Sequence, residues 1–350
     1  MLSFFKKWFG NKGKQGKHTG STDPVLDLGP AATLDDSSKK IPKADIHRLM
    51  IQATRIRKTK GYHEAVLFLE DLAEYYLKER NTALVTTVNK LVPYMKKDTQ
   101  LTYEKARQWL QDLIGRLPVT DPYFLNVHIT MAELLEVEGT DKAIEYLKKF
   151  LQEHLPSADT YYHLIRLADF YRKQGDLKQT KNYLEQARQW WDTKLARYRL
   201  IKMLRRWHHS AALLSFEGNG SKDPADFLFH RFMEFALDMA CVLDPVQIDE
   251  FHKRKDQYYK GKRGFSGTSQ FEKAIESPAL PKNRDTLIRD IFGFVFEEMP
   301  LMLGVPEKQL HFHPGDPESL DEVRQKKLFS TRPFTRYEEL EKKIRKIVGL

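Results

Sequence analysis

The stretch LIRLADFYRKQGDLKQTKNYLEQA, residues 164–187, decides the fold. Leu164, Ala168 and Tyr171 stand at i, i+4 and i+7, and so do Thr180, Leu184 and Ala187. At 3.6 residues per turn those positions share one stripe of a helix. The stretch therefore reads as two amphipathic helices parted by the turn Gly175–Asp176. The arrangement recurs upstream. With Ala65, Ala106, Ala143 and Thr180 aligned as small anchors, Leu69, Leu110, Leu147 and Leu184 follow four residues on. Leu72, Leu113, Phe150 and Ala187 come three later, and the turn-type residues Gly61, Thr102, Gly139 and Asp176 stand four before. The anchors are 41, 37 and 37 residues apart. First helices precede the turns: Leu49, Ala53 and Ile56 before Gly61, and Val127, Met131 and Leu134 before Gly139. The second unit's first helix, near residues 82–97, carries Pro93, which lacks a backbone donor and is expected to kink or break it. A lone hairpin cannot bury its apolar stripe, whereas stacked neighbours share a continuous core. Residues from about 45 to 191 are expected to form such a stack, and the whole protein to be all-α.

In the fourth unit Leu164, Leu167, Ala168, Tyr171, Gly175, Leu177, Leu184 and Ala187 resemble the tetratricopeptide-repeat pattern of large, small, aromatic, Gly and apolar positions. Pro118 falls twelve residues after Ala106, where that family's closing proline stands, and Pro156 comes one residue late. The units depart from the family in being longer than its 34 residues, in lacking its Trp, and in having Thr180 for the usual Ala. The longer HEAT type of helical repeat is the related alternative. The resemblance implies an α-solenoid that grips another polypeptide, with the first helix of each unit lining its concave face. The matched positions are Met50, Thr54, Arg57 and Lys58, then His128, Ala132, Leu135 and Glu136, then Ile165, Asp169, Arg172 and Lys173. Arg57–Lys58 and Arg172–Lys173 fall at equivalent places and would suit an acidic or carboxylate-ended peptide. The competing reading is that they are solvated helix ends whose cations offset the macrodipole. The chaperone-binding members use a Lys and Asn clamp; Thr54 and Asp169 stand where Asn would be required, so that activity is not implied.

The chain of 350 residues is long enough for two domains with sizeable cores. Its formal net charge of +10 favours acidic partners: anionic lipid, nucleic acid or an acidic peptide. Cys241 is the only cysteine, which excludes an internal disulfide and fits a reducing cytoplasm. No apolar run reaches the roughly 18 residues of a membrane span. Residues 1–43 read as an arm. Leu2, Phe4, Phe5, Trp8 and Phe9 surround Lys6 and Lys7, Lys12, Lys14 and Lys17 follow, and no acid precedes Asp23. Aromatic rings at the headgroup boundary with lysines facing anionic lipid suit residues 1–17 to a membrane surface. The alternatives are a plain basic tail and a helix that docks on the protein's own body.

A repeat domain is expected over residues 44–218. Its last helix, near 192–216, sets Leu195, Leu200, Ile201, Leu204, Trp207, Ala211 and Leu214 against a basic face of Arg197, Arg199, Lys202, Arg205 and Arg206. It reads as a cap on the stack, with RNA contact as the competing reading; no RNA-binding signature accompanies it, so nucleic acid is not the expected partner. The turn-rich segment 217–224 marks the expected boundary to a second helical domain, residues 222–350, with helices near 226–243, 246–259, 284–303, 320–328 and 337–348. Glu338 with Lys342 and Glu339 with Lys343 are spaced as i to i+4 pairs.

Catalytic signatures are weak. The loop 261–267, GKRGFSG, lacks the spacing of a phosphate cradle, and Ser266 lacks the frame of a nucleophile elbow. His311 and His313 with Asp316 and Glu318 lie in a Pro–Gly loop without a further ligand pair. His208 and His209 are adjacent on a helix and diverge. The expected function is a non-catalytic scaffold or adaptor, peripheral to the cytoplasmic membrane surface, with no cofactor or metal. The alternative is an enzyme or nucleotide-dependent factor with its site in the C-terminal region.

Overall fold

The computed structural model describes residues 46–79, 83–100, 103–119, 121, 123–154, 159–191, 197–219, 224–243, 248–261, 264–265, 268–305 and 336–350. Residues 1–45, and with them the arm and its expected membrane-contact residues, lie outside this set, as do His311, His313 and the helix expected near 320–328. The described residues contain helices and turns and no strand.

Eight helices form four hairpins in succession: α1 Ile46–Lys60 with α2 Tyr62–Lys78, α3 Ala83–Met95 with α4 Tyr103–Arg116, α5 Phe124–Leu135 with α6 Thr140–Glu153, and α7 Tyr161–Lys173 with α8 Leu177–Arg188. A ninth helix, α9, runs over Arg197–Asn219. Each helix packs against the next in the chain, and each first helix also touches the next first helix, α1 to α3, α3 to α5, α5 to α7 and α7 to α9. That is the nesting of an α-solenoid. The small anchors Ala65, Ala106, Ala143 and Thr180 are all buried, as are the apolar residues four and seven positions beyond each. Thr180 fits a small-residue position because its hydroxyl donates to the Asp176 carbonyl at 2.8 Å, so no polar group is stranded. Asp176 in turn caps α8, its side chain accepting from the Gln179 amide at 2.9 Å. Pro93 does not break α3. It sits in the last turn, two residues before the helix ends, so one lost donor disturbs little.

The second helical region comprises α10 Pro224–Val242, α11 Ile248–Tyr259, α12 Thr268–Ile275, α13 Arg284–Gly293 and, after a π-helical turn Phe294–Glu298, α14 Met299–Met302, with α15 Tyr337–Val348 last. Helix α12 was not expected; it buries Phe271, Ala274 and Ile275. The π turn prepares the chain for Pro300. Met299 N–H bonds back to the Phe294 carbonyl, so the ladder shifts register before the residue without a donor, and the helix continues through it.

Helix α9 is more than a cap. Met203 and Ala211 join the core of the hairpins, while Leu200, Ile201, Leu204 and Ala212 belong to the core built on α10. The expected boundary near 217–224 thus follows a helix that is shared by both cores. Of the expected pairs on α15, Glu339 with Lys343 is replaced. Lys343 reaches Glu298 of the π turn at 3.1 Å, and Glu339 takes Arg336 at 2.5 Å, because tertiary and N-terminal partners lie closer.

The C-terminus of α15 depends on Gly349. Its φ is +87°, and its N–H and that of Leu350 both bond to the Arg345 carbonyl at 2.9 Å. A Cβ there would stand 2.4 Å from Pro281 Cγ. Gly349→Ala should therefore loosen α15 by about 2 kcal/mol, seen as faster amide exchange confined to that helix.

Candidate partner-binding groove

The first helices α3, α5, α7 and α9 frame a groove of about 420 Å³. Its walls are Asn89 and Pro93 from α3, Asn126, Ile129, Thr130 and Glu133 from α5, Tyr162 and Arg166 from α7, and Arg206 from α9. The α5 residues stand at i, i+3, i+4 and i+7, one stripe of that helix. Pro93 has no N–H to offer the Asn89 carbonyl one turn back, and the exposed side chain of Asn89 stands beside it on the groove wall.

An ion-pair ladder crosses the helices beside this groove. Glu133 on α5 bonds Arg166 on α7. Arg166 lies 3.6 Å from Asp169, and Asp169 accepts from Arg206 of α9 at 2.6 Å and from the Ser210 hydroxyl at 2.8 Å. Lys96, at the end of α3, donates to the Glu133 carbonyl, and burial of its head pushes its pKa down. These bonds tie each first helix to the next, and they leave the guanidinium groups of Arg166 and Arg206 on the groove wall.

The positions expected to line the groove are mostly occupied elsewhere. Ile165 and Asp169 are buried, and so are Met50 and Ala132. These four are corrected from partner-binding to packing residues. On α7 the cause is α9, which lies over the face that would otherwise look outward. Thr54 donates to the Met50 carbonyl at 2.9 Å and accepts from Lys90 at 2.7 Å, which joins α1 to α3. Arg57 lies 5.7 Å from the ring of Tyr62 and 5.8 Å from that of Tyr94, while Lys58 is exposed. Arg172 pairs with Glu217 of α9 at 2.5 Å, and Lys173 with Glu136 of α5. The basic pair of the fourth unit is thus a set of braces between neighbouring helices. His128 packs against Phe150 with its Nδ1 2.7 Å from the Tyr146 hydroxyl; burial, then His163 and His154, push its pKa down to about 4. The groove residues Asn89, Asn126, Ile129, Tyr162 and Arg166 were missed. The signal available for them was the polar stripe Asn126, Thr130, Glu133, offset by two residues from the positions His128, Ala132 and Leu135 taken from the resemblance.

Other expected features are placed as follows. Arg205 pairs with Asp238 at 2.9 Å, and the side chains of Arg197 and Arg199 are outside the described residues. In the 261–267 loop Phe265 stacks on Phe271 at 4.2 Å, while Lys262, Arg263, Ser266 and Gly267 are outside the described residues. No group of His, Cys, Asp and Glu suited to a metal ion occurs among the described residues. His208 and His209 diverge, the first toward His230 and the second toward Glu234. Burial pushes the Cys241 thiol up to about 11. No described helix is long and apolar enough to cross a membrane.

No protein-family model matches the chain, and no curated protein matches it.

Proposed function

We propose that the chain is a non-catalytic scaffold of the tetratricopeptide type that holds a segment of another polypeptide across α3, α5, α7 and α9. The observation that carries this reading is the groove itself: four successive first helices each contribute to one wall of about 420 Å³. Its chemistry suits an extended peptide. The exposed Asn89 offers an amide that both donates and accepts, as a main chain requires. Pro93, Ile129 and the Tyr162 ring offer an apolar seat. Arg166 and Arg206 each bond a carboxylate yet carry five N–H donors, so further donors are available for an acidic side chain. Two guanidiniums against Glu133 and Asp169 leave little net charge at the wall. That balance favours a peptide with isolated acidic residues over a polyanion.

In this reading the arm supplies the second half of an adaptor. Residues 1–17, with Leu2, Phe4, Phe5, Trp8 and Phe9 around Lys6 and Lys7, rest on an anionic membrane surface. A single short anchor of this kind binds weakly, which makes the contact reversible.

Two full-length variants test the halves separately. Asn89→Ala with Ile129→Ala trims two side chains of the groove wall and should weaken a captured polypeptide at least about tenfold, that is about 1.4 kcal/mol. A partner bound equally well by this variant removes the groove from the proposal. Deleting residues 1–10 should abolish flotation with vesicles of mixed phosphatidylserine and phosphatidylcholine; unchanged flotation removes the membrane half.

A further inference from the structure

The groove has an unbalanced neighbour on the side of α1. Asn89 and Pro93 line the groove, and Lys90 and Tyr94, one position further round α3, turn to α1. Lys90 donates to the Thr54 hydroxyl at 2.7 Å and lies 5.8 Å from the Tyr94 ring. Arg57, three residues after Thr54, lies within 5.8 Å of the rings of both Tyr62 and Tyr94, which meet edge to face at 5.5 Å. Lys97, just past the end of α3, lies 6.0 Å from the Tyr62 ring. Three cations thus surround one pair of tyrosines.

None of the three is in an ion pair among the described residues, nor are Lys58 and Lys60, exposed at the end of α1. The carboxylates close by in sequence do not serve them. Asp98, next to Lys97, is buried, lies 2.9 Å from His63 Nδ1 and accepts from the Gln100 amide. Glu64, two residues after Tyr62, is exposed and pairs with no cation among the described residues. The equivalent pair of the fourth unit, Arg172 and Lys173, is fastened to Glu217 and Glu136. At α5 to α9, Arg166 and Arg206 are matched by Glu133 and Asp169. The α1 end thus presents Arg57, Lys58, Lys60, Lys90 and Lys97 without carboxylate partners, against a near-neutral wall at the other end.

A ring holds a cation by its charge and accepts no strong hydrogen bond from it. The heads of Arg57 and Lys97 are therefore kept in place with their donors available, and Lys90 has donors beyond the one given to Thr54. Heads held before a ligand arrives lose less freedom on binding it than free surface lysines do. Lys90 and Lys97 are seven positions apart, about 10 Å at helical rise, a span that about three residues of extended chain cover. A block of about three acidic side chains matches that spacing, whereas a single carboxylate reaches one cation. A stacked base needs bare ring faces, and here the rings meet cations and each other.

We propose that this cation–tyrosine platform takes a short acidic block on the same polypeptide that lies in the groove. The polypeptide then binds in one direction, its acidic end over α1 and α3 and its neutral part across α5, α7 and α9. The platform rests on the groove reading, which supplies the remainder of the contact, and adds orientation to it. A basic end is refused at α1 because it would meet cations that no carboxylate offsets.

Selection of random peptides about twelve residues long on the immobilised full chain tests this; that length crosses four first helices spaced about 8 to 10 Å apart. Enriched peptides should carry neighbouring Asp or Glu residues toward one end. Their affinity should fall at least about tenfold in Arg57→Glu with Lys97→Glu, and stay within about twofold in Arg57→Lys with Lys97→Arg, which keeps the charge. A photoreactive group at the acidic end should attach to α1 or α3 of the unaltered chain. Attachment to α7 or α9 overturns the proposal, whether or not the variants fold. So does an acidic block bound equally well after charge reversal, or tighter binding of oligouridylate than of any selected peptide. Peptides that need Asn89 and Ile129 but carry no acidic block overturn the platform and leave the groove reading in place. Acidic peptides that need Arg57 and Lys97 but not Asn89 and Ile129 keep the platform and remove the groove reading. If no peptide is enriched, both fall.

Discussion

Lowering the pH from 7 to 4 should remove about 6 kcal/mol of stability from the middle of the hairpin array. The source is a cluster of histidines around Phe150, where the rings of His128, His154 and His163 lie 4.4, 4.3 and 4.6 Å from that of Phe150. His163 is fully covered and its Nε2–H donates to the Leu125 carbonyl at 2.9 Å. Burial first, with some help from neighbouring histidines, pushes both His128 and His163 from 6.5 down to about 4. Each shift corresponds to about 3 kcal/mol. Because both rings hold protons more weakly in the folded chain, the unfolded chain takes them up first. The loss begins near pH 6.5 and levels off near 4, where the folded rings protonate as well. Urea unfolding of the full chain at pH 7.0 and 4.0, followed at amides of α5 to α7, measures it. His163→Gln preserves a donor toward Leu125 and should cut the pH-dependent loss by about half. An equal loss in wild type and variant would place the acid response elsewhere.

Asp169→Ala should cost about 3 kcal/mol at neutral pH, because it removes the centre of the ladder that joins α5, α7 and α9. Its carboxylate is the acceptor for Arg206 at 2.6 Å and Ser210 at 2.8 Å, and lies 3.6 Å from Arg166. Breaking a buried pair by truncating one side costs about 3 to 5 kcal/mol. The partly exposed Arg206 can turn back to water, which moves the estimate to the lower end, whereas the buried Ser210 hydroxyl cannot. Asp169→Asn retains one acceptor oxygen and should recover part of the loss. The readout is the denaturation midpoint together with amide exchange in α9, which should quicken more than in α1 and α2. Uniform exchange across the array would show that the ladder does not brace α9 in particular.

The core of the array was legible from spacing. Ala143, Leu147 and Phe150 are buried as their i, i+4, i+7 arrangement required, and the turns at Gly61, Gly139 and Gly175 use positive φ, where glycine is favoured. The groove was legible only in part. A periodicity shows which stripe of a helix is apolar, but the opposite stripe is shared between water, neighbouring helices and a partner. Arg172 and Lys173 look alike in sequence to a cationic clamp; their carboxylate partners Glu217 and Glu136 lie 45 and 37 residues away in the chain. The short helix α12 escaped notice for a related reason: eight residues offer too few turns for a period to stand out.

The sequence by itself determined an all-α chain of nested hairpins, because helical periodicity and turn residues act within one segment and need no knowledge of the rest. Only the tertiary structure decided which polar residues face outward. Asp169 is buried since Arg206, 37 residues on, is carried over it by α9, and His208 meets Tyr337 across 129 residues. Burial and pairing at such separations depend on how helices are laid against one another, and no local pattern encodes that.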